Sequence, residues 1–250
     1  MTTDGSPTSR HSYDGVAYLP SVGKLYAGGY FPWYDGGNTP NDDPRAFVPG
    51  IFDPTSISWA LPGLGFGSVG LTAWDPLTGY LLVSDDNHLA AYDPVNNTYL
   101  HGSGPNWAFG ESAMALDTDD RLVIAVSEGE NEAFSWDLSG VDWTDAGSAI
   151  PPNQIYATFV GGDAGVPMTA TAMGVDYDPQ KKLFVGWGGD STVWTLDPKT
   201  RAWSEITNVN PAPTNQSPDG IYGRWWYAPE YDVFLGYNDP DGNVWLYKMP

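Results

Sequence analysis

The chain has 250 residues, is 41% hydrophobic and 14% aromatic, has no cysteine, and carries ten Lys+Arg against 31 Asp+Glu for a net charge of −21. Disulfides and thiolate metal sites are thereby excluded, and the acidic balance opposes counterion-release binding to nucleic acid or to an anionic membrane. The charge serves solubility on the plainest reading, with cations or basic partners as the alternative. No apolar run reaches the ~20 residues of a membrane-spanning helix, and the start MTTDGSPTSRHSYDG lacks the charged-then-apolar pattern of a signal peptide. The 12 Trp and 15 Tyr argue against disorder.

In chain order, residues 1–12 are polar; they either stay loose or supply an outer strand elsewhere. Val16 to Gly29, VAYLPSVGKLYAGG, reads as a strand pair. Tyr30 to Arg45 is an insertion rich in Gly, Pro, Asn and Asp that contains Trp33, Tyr34 and Asp35, and Phe47 to Trp59 resumes the strands. LPGLGFGSVG, from Leu61, is a connector without the spacing of a dinucleotide fingerprint. LTAWDPLTGYLLVS from Leu71 begins a second unit, and a connector holding Trp107 and Phe109 leads to a third, AMALDTDDRLVIAVS from Ala113. Asp145 to Thr171 is the longest connector, with IYATFV from Ile155 as an extra strand. GVDYDPQKKLFVGWGGDSTVWTLDPKTRAW from Gly174 is the clearest unit, and GRWWYAPEYDVFLGYNDPDGNVWLYKM from Gly223 stops where a fourth strand is due. Apolar or β-branched runs bounded by Gly, Pro and Asp are strand signals. No segment keeps a helical period.

An Asp followed six residues later by an aromatic recurs at Asp53/Trp59, Asp93/Tyr99, Asp137/Trp143 and Asp197/Trp203. Copies of about 50 residues, each an antiparallel four-stranded unit, are the pattern of propeller blades. The expectation is an all-β chain forming a single β-propeller domain over 1–250. Its five blades fall near 13–60, 68–101, 112–146, 172–207 and 220–250, with residues 1–12 completing the last.

In such a meander the first-to-second and third-to-fourth turns share one face, because strand direction alternates. That face carries Lys24, Arg121, Lys181, Lys182, Lys199 and Arg201; the opposite face carries the long loops and most free carboxylates. Function tends to sit on loops held by a rigid scaffold, so the second face is expected to be the functional one. Trp33, Tyr34, Asp35, Trp107 and Phe109 are the candidate binding residues, since loop aromatics suit sugar stacking or protein contact. The bland reading is that they fold back onto the blades.

Chemistry is sparse. HExxH, G-x-S-x-G and Walker patterns are absent, and His11, His88 and His101 stand alone. Asp239-Pro-Asp241-Gly-Asn243 has half the pattern of a calcium loop and reads as a turn. Neither a metal nor a cofactor is expected. Asp14, Asp176 and Asp219, near the starts of innermost strands, with Arg224 close by in sequence to Asp219, are the catalytic candidates of an alternative reading, because paired carboxylates cleave glycosidic bonds. Ordinary turn roles compete with that reading.

The chain resembles kelch-type propellers and the central domain of galactose oxidase. YDGVAYLPSVGKLYAGG, the D-P-x-T-x-x-W pattern at Asp197 and the final GRWWYAPEYDVFLGYNDPDGNVWLYKM carry the resemblance. Gly-Gly pairs of the kelch kind stand at Gly28-Gly29 and Gly188-Gly189. The resemblance implies architecture and, by analogy, an extracellular or virion setting. The favoured expectation is a non-enzymatic binding or structural module contacting a protein or glycan. The alternative is a carbohydrate-active enzyme, a glycosidase or polysaccharide lyase.

Overall fold

A computed structural model describes residues 12, 14–28, 50–60, 71–84, 89–103, 112–127, 132–145, 153–156, 158–159, 172–207, 220–239 and 241–250. They form five small, mainly antiparallel sheets, the blades of a five-bladed β-propeller fold. The one helical element among them is a single 3-10 turn, Tyr222–Arg224. The chain divides into two compact units, residues 1–109 with 140–151, and residues 110–139 with 152–250.

The first unit holds two four-stranded meanders: β1 (Val16–Leu19), β2 (Lys24–Ala27), β3 (Gly50–Asp53) and β4 (Ser58–Ala60), then β5 (Leu71–Asp75), β6 (Tyr80–Ser84), β7 (Leu89–Asp93) and β8 (Thr98–Ser103). Every residue of β7 is buried, which explains why its sequence, LAAYD, lacks polar alternation: both faces are covered. Leu19, Tyr26, Ile51, Leu81, Val83, Ala90 and Tyr92 form the core between the two sheets. Within it the hydroxyl of buried Tyr26 and that of partly buried Tyr99 share a hydrogen bond of 3.1 Å, so each phenol finds a polar partner beside apolar groups.

The second unit holds three sheets. The first is β9 (Ser112–Asp117), β10 (Leu122–Ser127), β11 (Glu132–Asp137) and β12 (Asn153–Tyr156). The next is β14 (Gly174–Asp178), β15 (Leu183–Trp187), β16 (Val193–Asp197) and β17 (Ala202–Ile206), with the two-residue β13 (Thr158–Phe159) laid parallel on the outer edge of β17. The last is β18 (Trp225–Ala228), β19 (Val233–Gly236) and β20 (Trp245–Tyr247), three strands as the sequence stop implied. Side chains of the middle sheet alternate between two cores. Phe184 and Leu196 join Val175, Tyr177 and Trp203 on one side. Val185, Trp187 and Val193 join Trp225 and Phe234 on the other. Trp225 stacks on Phe234 with centroids 4.9 Å apart and gives its indole N–H to the Val185 carbonyl at 3.0 Å.

Two expectations need correction in the connector region. Trp143 does not begin a fourth strand; the chain turns again at Asp142, which accepts the Thr144 N–H at 2.9 Å, and Trp143 is buried. The fourth strand of that sheet is β12, taken from the segment expected to be an extra strand, and β13 follows it on the edge of the next sheet. The Asp-to-aromatic spacing therefore marks the turn at Asp137, whose carboxylate accepts the Ser139 N–H at 2.8 Å, but not the strand after it.

The hairpin turns share one chemistry. Asp53, Asp93, Asp117, Asp178 and Asp197 each accept the main-chain N–H groups two and three residues ahead, at 2.8–3.3 Å. The residue four ahead is left-handed in each: Ile57, Asn97, Arg121, Lys182 and Arg201 have φ between 52° and 60°. This matches a tight turn capped by an αL residue, the geometry that lets a short loop join twisted strands. Ion pairs confirm the shared face within the second unit. Lys182 reaches Asp119 at 3.4 Å and Lys199 reaches Asp120 at 3.7 Å, so the β9–β10, β14–β15 and β16–β17 turns lie together.

Candidate functional site

The binding residues expected from sequence, Trp33, Tyr34, Asp35, Trp107 and Phe109, and the catalytic candidate Asp219, lie outside the described residues. The remaining candidates are Asp14, in the first unit, and Asp176 and Arg224, in the second.

Asp14 works through its backbone. It forms a parallel bridge with Leu71, and its carbonyl accepts the Thr72 hydroxyl at 2.7 Å, tying the entry to β1 against β5.

Asp176 sits in the middle of β14, opposite Val185 of β15. Its two carboxylate oxygens accept different main-chain donors: the Tyr177 N–H at 2.8 Å and the Tyr227 N–H, from β18, at 2.7 Å. Among the described residues β18 has no ladder partner on the side away from β19, so the carboxylate supplies an acceptor that a strand would otherwise supply. Burial pushes this carboxyl up to about 6, with the two N–H groups pulling against it.

Arg224 closes the 3-10 turn before β18. That segment is locked onto the start of β14. The Ile221 N–H reaches the Ala172 carbonyl at 2.6 Å, and a Cβ on Gly174 would stand 2.4 Å from the Tyr222 carbonyl oxygen. Gly220 is equally confined, since a Cβ there would meet that of Ala172 at 2.2 Å, and its φ of +76° suits glycine. The Arg224 guanidinium donates to the Gly220 carbonyl and lies over the Tyr237 ring, 5.8 Å from its centroid. No ion pair joins Arg224 to Asp176 or to any other carboxylate among the described residues. These two candidates are each bound to backbone, Asp176 in mid-strand and Arg224 ahead of β18, and no ion pair joins them.

Tyr237 was not singled out from the sequence, although its signal was present. The Ala228–Val233 hairpin fixes Trp225 opposite Gly236, and one step further sets Tyr237 beside Arg224, whose carbonyl accepts the Tyr237 N–H at 3.1 Å. Among the described residues, no group of three or more His, Asp or Glu is arranged to hold a metal ion, and no helix is long and apolar enough to cross a membrane.

No family model and no curated protein matches the sequence. Its likeness is to solved folds. A chain of a mitotic checkpoint complex aligns over 92% of this chain with a TM-score of 0.53 and 10% identity. A chain of the hydrazine synthase of Kuenenia stuttgartiensis aligns over 94%, with a TM-score of 0.52 and 10% identity. In both cases the match spans 58% of the other chain's length. At such identity the likeness shows the fold alone. With 710 chains sharing it, the fold selects no activity.

Proposed function

We propose that this chain is a non-enzymatic binding or structural module, a propeller that holds loops against a protein or glycan partner. The contacts are assigned to the loop face, above all to Tyr30–Arg45 with Trp33, Tyr34 and Asp35, and to Trp107 and Phe109. What supports this over the enzymatic alternative is the state of Asp176. Both its oxygens are taken by main-chain N–H groups of two inner strands, which is the work of a strut. Similarity to a chain of a mitotic checkpoint complex, a protein assembly, fits a protein partner. A kelch-type descent and a virion or cell-surface setting belong to the same reading.

The raised carboxyl of Asp176 is the observation that favours a glycosidase or lyase, since a general acid needs its proton near neutrality. The two readings separate in one pair of experiments. A Trp33→Ala/Tyr34→Ala protein is expected to fold normally and to lose its partner in a pull-down, because aromatic anchors carry about 2 kcal/mol or more each at interfaces. A panel of neutral and acidic polysaccharides incubated with the unmodified protein is expected to yield no new reducing ends. Sugar release that disappears in Asp176→Asn would establish the enzyme instead.

A further inference from the structure

We propose that Arg224 is a recognition point for the carboxylate of a small, singly charged ligand at the 220–225 corner of the second unit. In a chain with ten basic and 31 acidic residues, acids outnumber bases threefold, and Arg201, on an exposed turn, is another described base outside the ion pairs. Lys24, Lys182, Lys199 and Lys248 each stand within 4.0 Å of an aspartate. Arg224 is half-buried and has none among the described residues. Its fork offers five N–H donors, and one protein acceptor, the Gly220 carbonyl, engages it.

The guanidinium is also held in place. One face rests on Tyr237, and its backbone is fixed by the close approach of Gly174 and Gly220 to their neighbours. Tyr222, two residues earlier, is buried with φ of +46°, a conformation that bulky side chains rarely adopt and that persists where the surroundings impose it. A planar cation, preorganised, half-desolvated and short of an acid partner, matches the two oxygens of a carboxylate. The net charge of −21 repels polyanions, so a single carboxylate on an otherwise neutral body fits better. This site does not depend on the Tyr30–Arg45 surface.

Calorimetric titration tests it, with D-glucuronate, acetate and D-glucose as probes against the wild type, Arg224→Lys, Arg224→Gln and Arg201→Gln. Arg201 lies on an exposed turn outside this corner. The expected result is saturable binding of glucuronate, competition by acetate and silence from glucose. Arg224→Lys should weaken glucuronate about tenfold or more through loss of the planar fork, while Arg201→Gln leaves it unchanged. Circular dichroism checks that each variant folds, and the lysine variant, which keeps the charge, carries the test if the glutamine variant does not. No binding of either carboxylate to the wild type, glucose binding as tightly as glucuronate, or unaltered affinity in Arg224→Lys would overturn the proposal. The partner pull-down with Arg224→Gln, or with Arg224→Lys should the former not fold, reports on the loop reading separately.

Discussion

Asp176 and the turn aspartates respond to acid in opposite ways. Asp176 is raised to about 6 in the fold by burial, against an ordinary value near ~4. The folded chain therefore holds that proton more tightly than the unfolded one. The contribution is fully present below pH ~4 and is lost as pH rises through about 6. Asp53, held low by the Thr55 N–H, and Asp137, Asp142 and Asp232, held low by Ser139, Thr144 and Lys248, contribute above their ordinary range and lose that contribution as pH falls. Asp176→Asn should flatten the fall in Tm between pH 4 and 6, measured by differential scanning fluorimetry. Parallel curves for the two proteins would contradict the assignment. At pH 7 the carboxamide has one oxygen for two N–H donors, so part of the gain is offset. Ile57 poses a different problem. It is β-branched, has φ of 52° and is 80% exposed, so it meets the cost of the left-handed region without burying its side chain. Asn97 fills the same slot in another turn. Ile57→Asn is expected to stabilise the fold by about 1 kcal/mol in urea titration, and a lower midpoint would mean that Ile57 makes a contact the turn geometry does not reveal.

The hairpin is the element on which the fold is repeated, and its turn has two separable parts: the aspartate that caps the N–H groups and the αL residue that reverses the chain. The β18–β19 turn shows that the second part suffices for shape, since Ala228 stands at its first position and Asp232 at its fifth with φ of 53°. In the β16–β17 turn, Asp197 accepts the N–H groups of Lys199 and Thr200 at 2.8 and 3.2 Å. Asp197→Ala should therefore keep the turn and lose about 1 kcal/mol, the net worth of such bonds at a solvated site. An unchanged urea midpoint would assign the whole turn energy to Arg201. The elements also explain the bulk composition. Gly236 lies where a Cβ would stand 2.7 Å from the rings of both Trp187 and Trp225, so a strand glycine there is what allows two indoles to share one layer.

At the scale of the whole molecule, the fifth sheet ends at β20 among the described residues, with Leu246 69% exposed on that outer strand. An open edge invites pairing with another chain, and propellers remove edges by completing the last blade. Residues 1–12 are the segment proposed for that strand. Deleting residues 2–10 is expected to lower Tm by several degrees, in the range that ~1–2 kcal/mol produces for a chain of this size. An unaltered melting curve would remove the tail from the fold. Among the described residues, buried apolar side chains form layers between neighbouring sheets of each unit, as the unbroken burial of β7 illustrates.

By itself the sequence determined the architecture, because strand and turn signals are local. Asp178-Pro-Gln-Lys and Asp197-Pro-Lys-Thr fix hairpins within a few residues, and their recurrence fixes the blade count. It also determined which turns share a face, since that follows from strand direction alone. Tertiary structure decided what depends on chain segments far apart. That β12 rather than Trp143 completes the third sheet came from pairing with β11 across the 15 residues that separate the two strands. The surroundings of Asp176 were decided by the arrival of the Tyr227 N–H, 51 residues away, which donates to its second carboxylate oxygen. Arg224 met Tyr237 through a hairpin register, and among the described residues no carboxylate pairs with it, an outcome of packing that no spacing encodes.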